Sequence, residues 1–192
     1  MKKVLITSRS FGNSSDIPFQ ILKDADINYT LMGADFDEEK FKEIIPEYDA
    51  LIIGAHMFYP EDMKRCPKLQ IICKHGAGLD NIYLDDAKEL GITVTNVPAM
   101  NANAVADLAF GHILNVSRGI SISNTRVHNG EWKSYIGRDV YKKVLGLVGF
   151  GAIAKNVARR AYGFSMQVLA YDPFVTEVPH EFKDYIQLVD FD

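Results

Sequence analysis

The sequence predicts an α/β fold built on parallel sheets, and three observations carry that reading. Short β-rich runs alternate with helical stretches through the first hundred residues. A long apolar helical stretch opens a second block after Thr95–Pro98. A strand–tight turn–helix unit, "KVLGLVGFGAIAKNVARR" (Lys143–Arg160), follows late in the chain. Strand and helix in alternation favour a parallel sheet covered on both faces.

The elements follow in order. Met1–Thr7 reads as a first strand, its apolar run being far too short for a signal peptide. Strand runs cover Val4–Thr7, Asn28–Met32, Ala50–Gly54, Leu69–Lys74 and Ile92–Asn96. In "FDEEKFKEIIPEYD", Asp37 is placed to cap a helix, Phe36 and Phe41 occupy hydrophobic-staple positions, and Pro46 ends or bends the helix. In "NANAVADLAFGHILNVSRGISISNTRVHNG", Val105, Leu108, Ala109, His112 and Val116 fall at helical spacing, and Phe110, Ile113 and Leu114 widen the stripe. A helix this apolar is expected to lie buried between two layers and to connect two domains. "GEWKSYIGRDVYKK" then makes an irregular crossing, with Trp132 expected to anchor it. The domain boundaries are therefore 1–98 and 99–192.

Composition removes several classes of function. A net charge of −4 offers no basic field for nucleic acid. No apolar run reaches the length of a membrane span. Cys66 and Cys73 lack metal-ligand spacing, as do the histidines, so no metal site is expected and reduced thiols in a cytoplasm fit. His112, on the apolar helix, is expected to be packed. No G-K-[ST] follows a glycine loop, which argues against P-loop chemistry.

Gly149, Gly151 and Ala154 form G-x-G-x-x-A. The first glycine permits a tight turn, the second lets backbone approach a pyrophosphate, and the small third residue lets helix and strand pack closely. The helix N-terminus would offer free N–H groups to the phosphates. Arg159 and Arg160 fall in the expected last turn, where they suit the helix dipole, and Gly163 fits the position just past it. "MQVLAYD" is a second strand ending at Asp172. A carboxylate there accepts ribose hydrogen bonds and repels a 2′-phosphate, so the turn reads as a site for NAD rather than NADP.

Four blocks carry a family likeness: "KHGAGLDNI" (Lys74–Ile82), "GITVTNVPAMNANAVADLAFGHIL" (Gly91–Leu114), "GEWK" (Gly130–Lys133) and "LGLVGFGAIAKNVA…VLAYDP" (Leu145–Pro173). The chain resembles the D-isomer-specific 2-hydroxyacid dehydrogenases, the family that includes phosphoglycerate dehydrogenase. The resemblance implies a flavodoxin-like substrate domain followed by the first part of an inserted Rossmann NAD-binding domain. It implies hydride transfer between nicotinamide and C2 of a small D-2-hydroxy or 2-keto acid. Hydroxypyruvate or glyoxylate reduction, and an NAD-sensing corepressor of the same fold, are the alternatives. By this likeness the substrate residues are Lys74, His75, Gly76, Ala77, Gly78 and Asn101. The cofactor residues are Val105, Gly149, Phe150, Gly151, Ala152, Ile153, Asp172 and Pro173.

The small residues Gly76–Gly78 let N–H groups converge as an anion nest for a carboxylate, a plain strand-to-helix turn being the alternative. Lys74 matches a position that helps hold a substrate phosphate, or else is a solvated strand-end lysine. His75 either touches substrate or is structural. Asp107 stands for the family's usual Glu, and Tyr83 for an Asp. The family's catalytic Arg, acidic residue and His find no match here and are expected after Asp192, so the chain reads as an apparently truncated portion, inactive alone, of a cytoplasmic homodimer.

Overall fold

The structure, a computed structural model, describes residues 2–191. The chain divides after Pro98 into two compact units, each with its own hydrophobic core.

The first unit alternates β1 (Lys3–Ile6), α1 (Ile17–Asp24), β2 (Asn28–Leu31), α2 (Glu38–Ile44), β3 (Ala50–Ile53), α3 (Pro60–Lys64), β4 (Ile71–Lys74), α4 (Leu84–Glu89) and β5 (Thr93–Thr95). The strands form one parallel sheet in the order β2-β1-β3-β4-β5. Its central strands are apolar because helices cover both faces. Leu5, Leu51 and Ile72 line up across β1, β3 and β4 and are fully buried. Phe41, Ile45, Phe58 and Met63 close over them. The α2 start follows its sequence signals: Asp37 Oδ1 accepts the Lys40 N–H at 2.7 Å, and the Phe36 and Phe41 rings sit 5.8 Å apart. Pro46 falls in a 3-10 turn after the helix has ended at Ile44. Each expected strand is present; the first is shifted back by one residue and the other four are trimmed by one or two.

The second unit holds α5 (Ala102–Arg118), α6 (Ile120–His128), β6 (Val144–Val148), α7 (Ala152–Gly163), β7 (Gln167–Tyr171) and β8 (Ile186–Leu188). Its three strands pair in parallel, in the order β6-β7-β8. α5 packs on α7 through Ala106 and Phe110, against Val157, Ala158 and Ala161. Arg160 adds a polar tie from α7, its Nε donating to Asp107 Oδ1 at 2.7 Å.

Several expectations for this unit need correction. The long helical stretch is two helices, because Gly119 at φ +62° stops α5. It is not buried between layers within its unit. The buried face carries Ala102, Ala106 and Phe110, while Leu108 and Val116 are 63% and 75% exposed. His112 is exposed rather than packed, and Trp132, expected to anchor the crossing, is 93% exposed. Gly163 closes α7 instead of following it, and Ser165 (φ +55°) takes the left-handed turn. Arg160 lies in the last turn of α7 as expected and Arg159 just before it; Arg159 pairs with Glu181 and lies over the Phe182 ring, and Arg160 pairs with Asp107. A third strand, β8, was not expected; three residues carry too short a pattern to read. Among the described residues no helix is long and apolar enough to cross a membrane.

Candidate functional site

In the first unit the chain leaves β1, β3 and β4 at one end of the sheet. There Thr7–Ser10, Gly54–His56 and Lys74–His75 line a pocket of about 490 Å³. β1 lies between β2 and β3, so the connections on either side of it run to opposite faces and leave a crevice at these strand ends. Two bonds continue the sheet into the loops: Thr7 N–H to Ile52 O at 2.9 Å and His75 N–H to Ile53 O at 3.0 Å. Gly54 allows the loops to meet. A Cβ there would sit 3.0 Å from Ser8 Cα and 3.2 Å from Thr7 O, both backbone atoms.

A part-buried polar clamp around the buried Asn81 forms the floor. Lys74 Nζ donates to Gly54 O (2.7 Å) and Asn81 Oδ1 (2.6 Å), while Asn81 Nδ2 donates to His56 O (2.6 Å) and Gly54 O (3.2 Å). Desolvation pushes the Lys74 pKa below its usual value, with Asp80 opposing. His56 stacks on Phe36 at 4.2 Å, with its Nε2 2.8 Å from Thr7 Oγ1 and its Nδ1 3.0 Å from Met57 O. Burial drives the imidazole pKa down and favours the neutral ring. Ser8, itself buried, places its Oγ 2.6 Å from His75 Nδ1.

The loop after β4 carries the expected nest residues. Gly76 N–H turns back to Lys74 O, and Asn96 Nδ2 holds Ala77 O at 2.6 Å. Among the described residues the N–H groups of Ala77 and Gly78 have no acceptor, which leaves two adjacent donors for an anion.

In the second unit β6 ends in the glycine turn. Gly149 adopts φ +93°, a conformation that a side chain would strain, and its N–H reaches Tyr171 O. Gly151 is the N-cap of α7 and supplies no side-chain acceptor, so among the described residues the first-turn amides at Ala152 and Ile153 have no acceptor. A Cβ at Gly149 or Gly151 would meet nothing within 4 Å, so open space lies before the helix end. A pyrophosphate fits that space and those donors.

Asp172, just beyond β7, accepts the Phe150 N–H (2.7 Å) on Oδ2 and the Phe174 N–H (2.9 Å) on Oδ1. These bonds hold its carboxyl below the usual carboxylate range. The Phe150 amide is thereby used within the fold, and the Phe150 ring is fully buried against Phe182. Asp172 retains lone pairs for ribose hydroxyls. Pro173 follows in the same turn, and Val105 is half-buried on α5. Asn101 caps α5 without a side-chain bond.

The structure therefore groups Lys74–Gly78 in one unit and Gly149–Ile153 with Asp172 in the other. Sequence reading missed Arg9, Ser8, Ser10, Asn81 and the packed role of His56. The available signal was the run "TSRS", two hydroxyls and a cation directly after the first parallel strand.

The family model described as D-isomer specific 2-hydroxyacid dehydrogenase, catalytic domain, matches residues 4–187. The chain is 39% identical over 153 residues to hydroxypyruvate reductase of Thermotoga maritima, covering 77% of this chain and 50% of that protein. It is 36% identical over 180 residues to D-3-phosphoglycerate dehydrogenase of Synechocystis sp., covering 92% of this chain and 31% of the relative. A crystal structure of a glyoxylate reductase from Paecilomyes thermophila superposes with a TM-score of 0.83 at 26% identity, covering 99% of this chain and 60% of that one. The chain thus spans at most half the length of the two curated relatives.

Proposed function

The chain belongs to the D-isomer specific 2-hydroxyacid dehydrogenase family, and from that premise we propose that it serves an NAD-dependent oxidoreductase acting at C2 of a small D-2-hydroxy or 2-keto acid, phosphoglycerate dehydrogenase-like. One observation carries the reading. The same chain holds a nest of free amides at Ala77 and Gly78 and a glycine turn whose open helix end stands beside Asp172.

Each group has a task. The nest amides bind the acid's carboxylate and fix which end of the molecule faces C2 chemistry. The first-turn amides of α7 hold a pyrophosphate, and Asp172 orients the adenosine ribose while disfavouring a 2′-phosphate. NAD, when bound, supplies the hydride acceptor or donor. Asp172 is fixed by the Phe150 and Phe174 amides, so it needs no reordering to receive a ribose.

A second reading, hydroxypyruvate or glyoxylate reduction, is favoured by the 39% identity to a hydroxypyruvate reductase. A cytoplasmic homodimer belongs to the proposal on the strength of the resemblance alone. The test is NADH oxidation by the complete gene product with phosphohydroxypyruvate, hydroxypyruvate and glyoxylate. Turnover with at least one acid is expected, with phosphohydroxypyruvate giving the highest kcat/KM. No turnover with any of them would contradict the reading.

A further inference from the structure

We infer that Arg9, at the carboxyl end of β1, anchors an anion subsite that selects 2-hydroxy or 2-keto acids bearing a second negative charge, a phosphate monoester or a carboxylate, on the distal carbon. This rests on the acid-binding reading above and narrows it to a substrate class.

The pocket at the β1, β3 and β4 ends is lined by two cations, Arg9 and Lys74, two histidines and three hydroxyls, and by no carboxylate. The two cations are differently placed. Lys74 already gives two of its three N–H groups to Gly54 O and Asn81 Oδ1, so it works mainly within the fold. The Arg9 guanidinium is exposed and has no acceptor among the described residues. Arg159 and Arg160, by contrast, each hold a carboxylate.

The carboxylates that act on the lining stand outside it. Glu38, which acts on His56, is paired with Lys42 at 2.7 Å. Asp80 acts on Lys74 from outside the lining. The lining therefore carries two cations and no carboxylate, and Arg9 offers one uncommitted planar fork of donors. That geometry matches a phosphate or carboxylate in two-point contact.

The surrounding loop is fixed well enough to aim it. Thr7 is tied to Ile52 O, Ser8 is buried on His75, and Phe11 packs edge-on against the His75 ring at 5.7 Å. Ser10 Oγ, 3.4 Å from His75 Nδ1, and His75 Nε2, which has no partner among the described residues, are further polar groups at the rim. Because Lys74 and His75 run straight into the nest at Ala77 and Gly78, a short acid with its carboxylate on the nest has a charged distal group to place, and Arg9 is the charge available. A neutral hydroxymethyl or a hydrogen would leave the guanidinium unmatched.

The test is a titration of the 15N-labelled protein followed by amide shifts, with D-glycerate, 3-phosphoglycerate and D-malate as probes. All three acids are expected to move Ala77 and Gly78. The two with a second anion are expected to move Ser8 and Ser10 as well and to bind roughly tenfold more tightly than D-glycerate. Whichever of the two binds more tightly identifies the distal group as phosphate or carboxylate. Arg9→Gln is expected to close the gap and Arg9→Lys to restore part of it, with the thermal midpoint holding steady in both. Equal affinities with shifts confined to the nest would overturn the subsite and leave the acid-binding reading standing. A gap that survives Arg9→Gln would also overturn it. Absence of shifts with every acid would overturn both.

Discussion

The two ligand-facing regions share backbone donors but differ in what surrounds them. In the second unit the donors are backbone: a glycine turn, the open end of α7, and one carboxylate, Asp172, held by two amides. In the first unit the nest amides of Ala77 and Gly78 adjoin a pocket made largely of side chains from three strand ends, fixed by the clamp of Lys74, Asn81 and His56. A backbone site depends on local conformation, and substitutions harm it chiefly where they add a Cβ or remove its one acidic partner. A side-chain site depends on a buried network, so damage at a distance from the ligand reaches it. Substitutions in the clamp should therefore cost stability, whereas Asp172 should cost selectivity.

The largest effect is expected from Asn81→Leu. It removes an acceptor from the Lys74 ammonium and a donor from two carbonyls, and should destabilise the first unit by about 3 kcal/mol in chemical denaturation. An unchanged midpoint would show that water replaces the clamp. Next comes Gly54→Ala, which places a methyl 3.0 Å from Ser8 Cα, where backbone has to move. A loss of about 2 kcal/mol is expected, together with altered Ser8 and His75 amide shifts.

The half-buried His56, whose neutral form the fold favours, should make stability depend on pH. Its folded pKa lies below the ordinary value of 6.5, so its contribution is complete above that value and is lost as pH falls through the folded pKa. Stability measured from pH 7.5 to 5 should decline below about 6.5, and His56→Gln should flatten that part of the curve. A parallel curve for the variant would assign the slope to other groups. The smallest effect belongs to Arg160→Met. Its tie to Asp107 is largely exposed on the acidic side, and losing it should cost about 0.5 kcal/mol.

Legibility in the sequence follows the same division. The parallel sheets, the α2 cap at Asp37 and the G-x-G-x-x-A turn were readable because each rests on local chemistry over a few consecutive residues. The family resemblance added the assignment of Gly76–Gly78. The Arg9 pocket was not readable in the same way: Ser8, His56, Lys74 and Asn81 are dozens of residues apart and meet only through strand order. The misreadings on α5 have a related cause. Helical spacing shows that an apolar stripe exists, but the small residues Ala102 and Ala106 beside Phe110 decided which side packs.

Asp172 offers the most direct test of the central claim that this chain carries an NAD-selective nucleotide site. NADH and NADPH are titrated calorimetrically into the unaltered protein and into Asp172→Ala. NADH is expected to bind at least about tenfold more tightly than NADPH, and the substitution to narrow the gap, chiefly by weakening NADH. Equal affinities for the two nucleotides in the unaltered protein would contradict that claim.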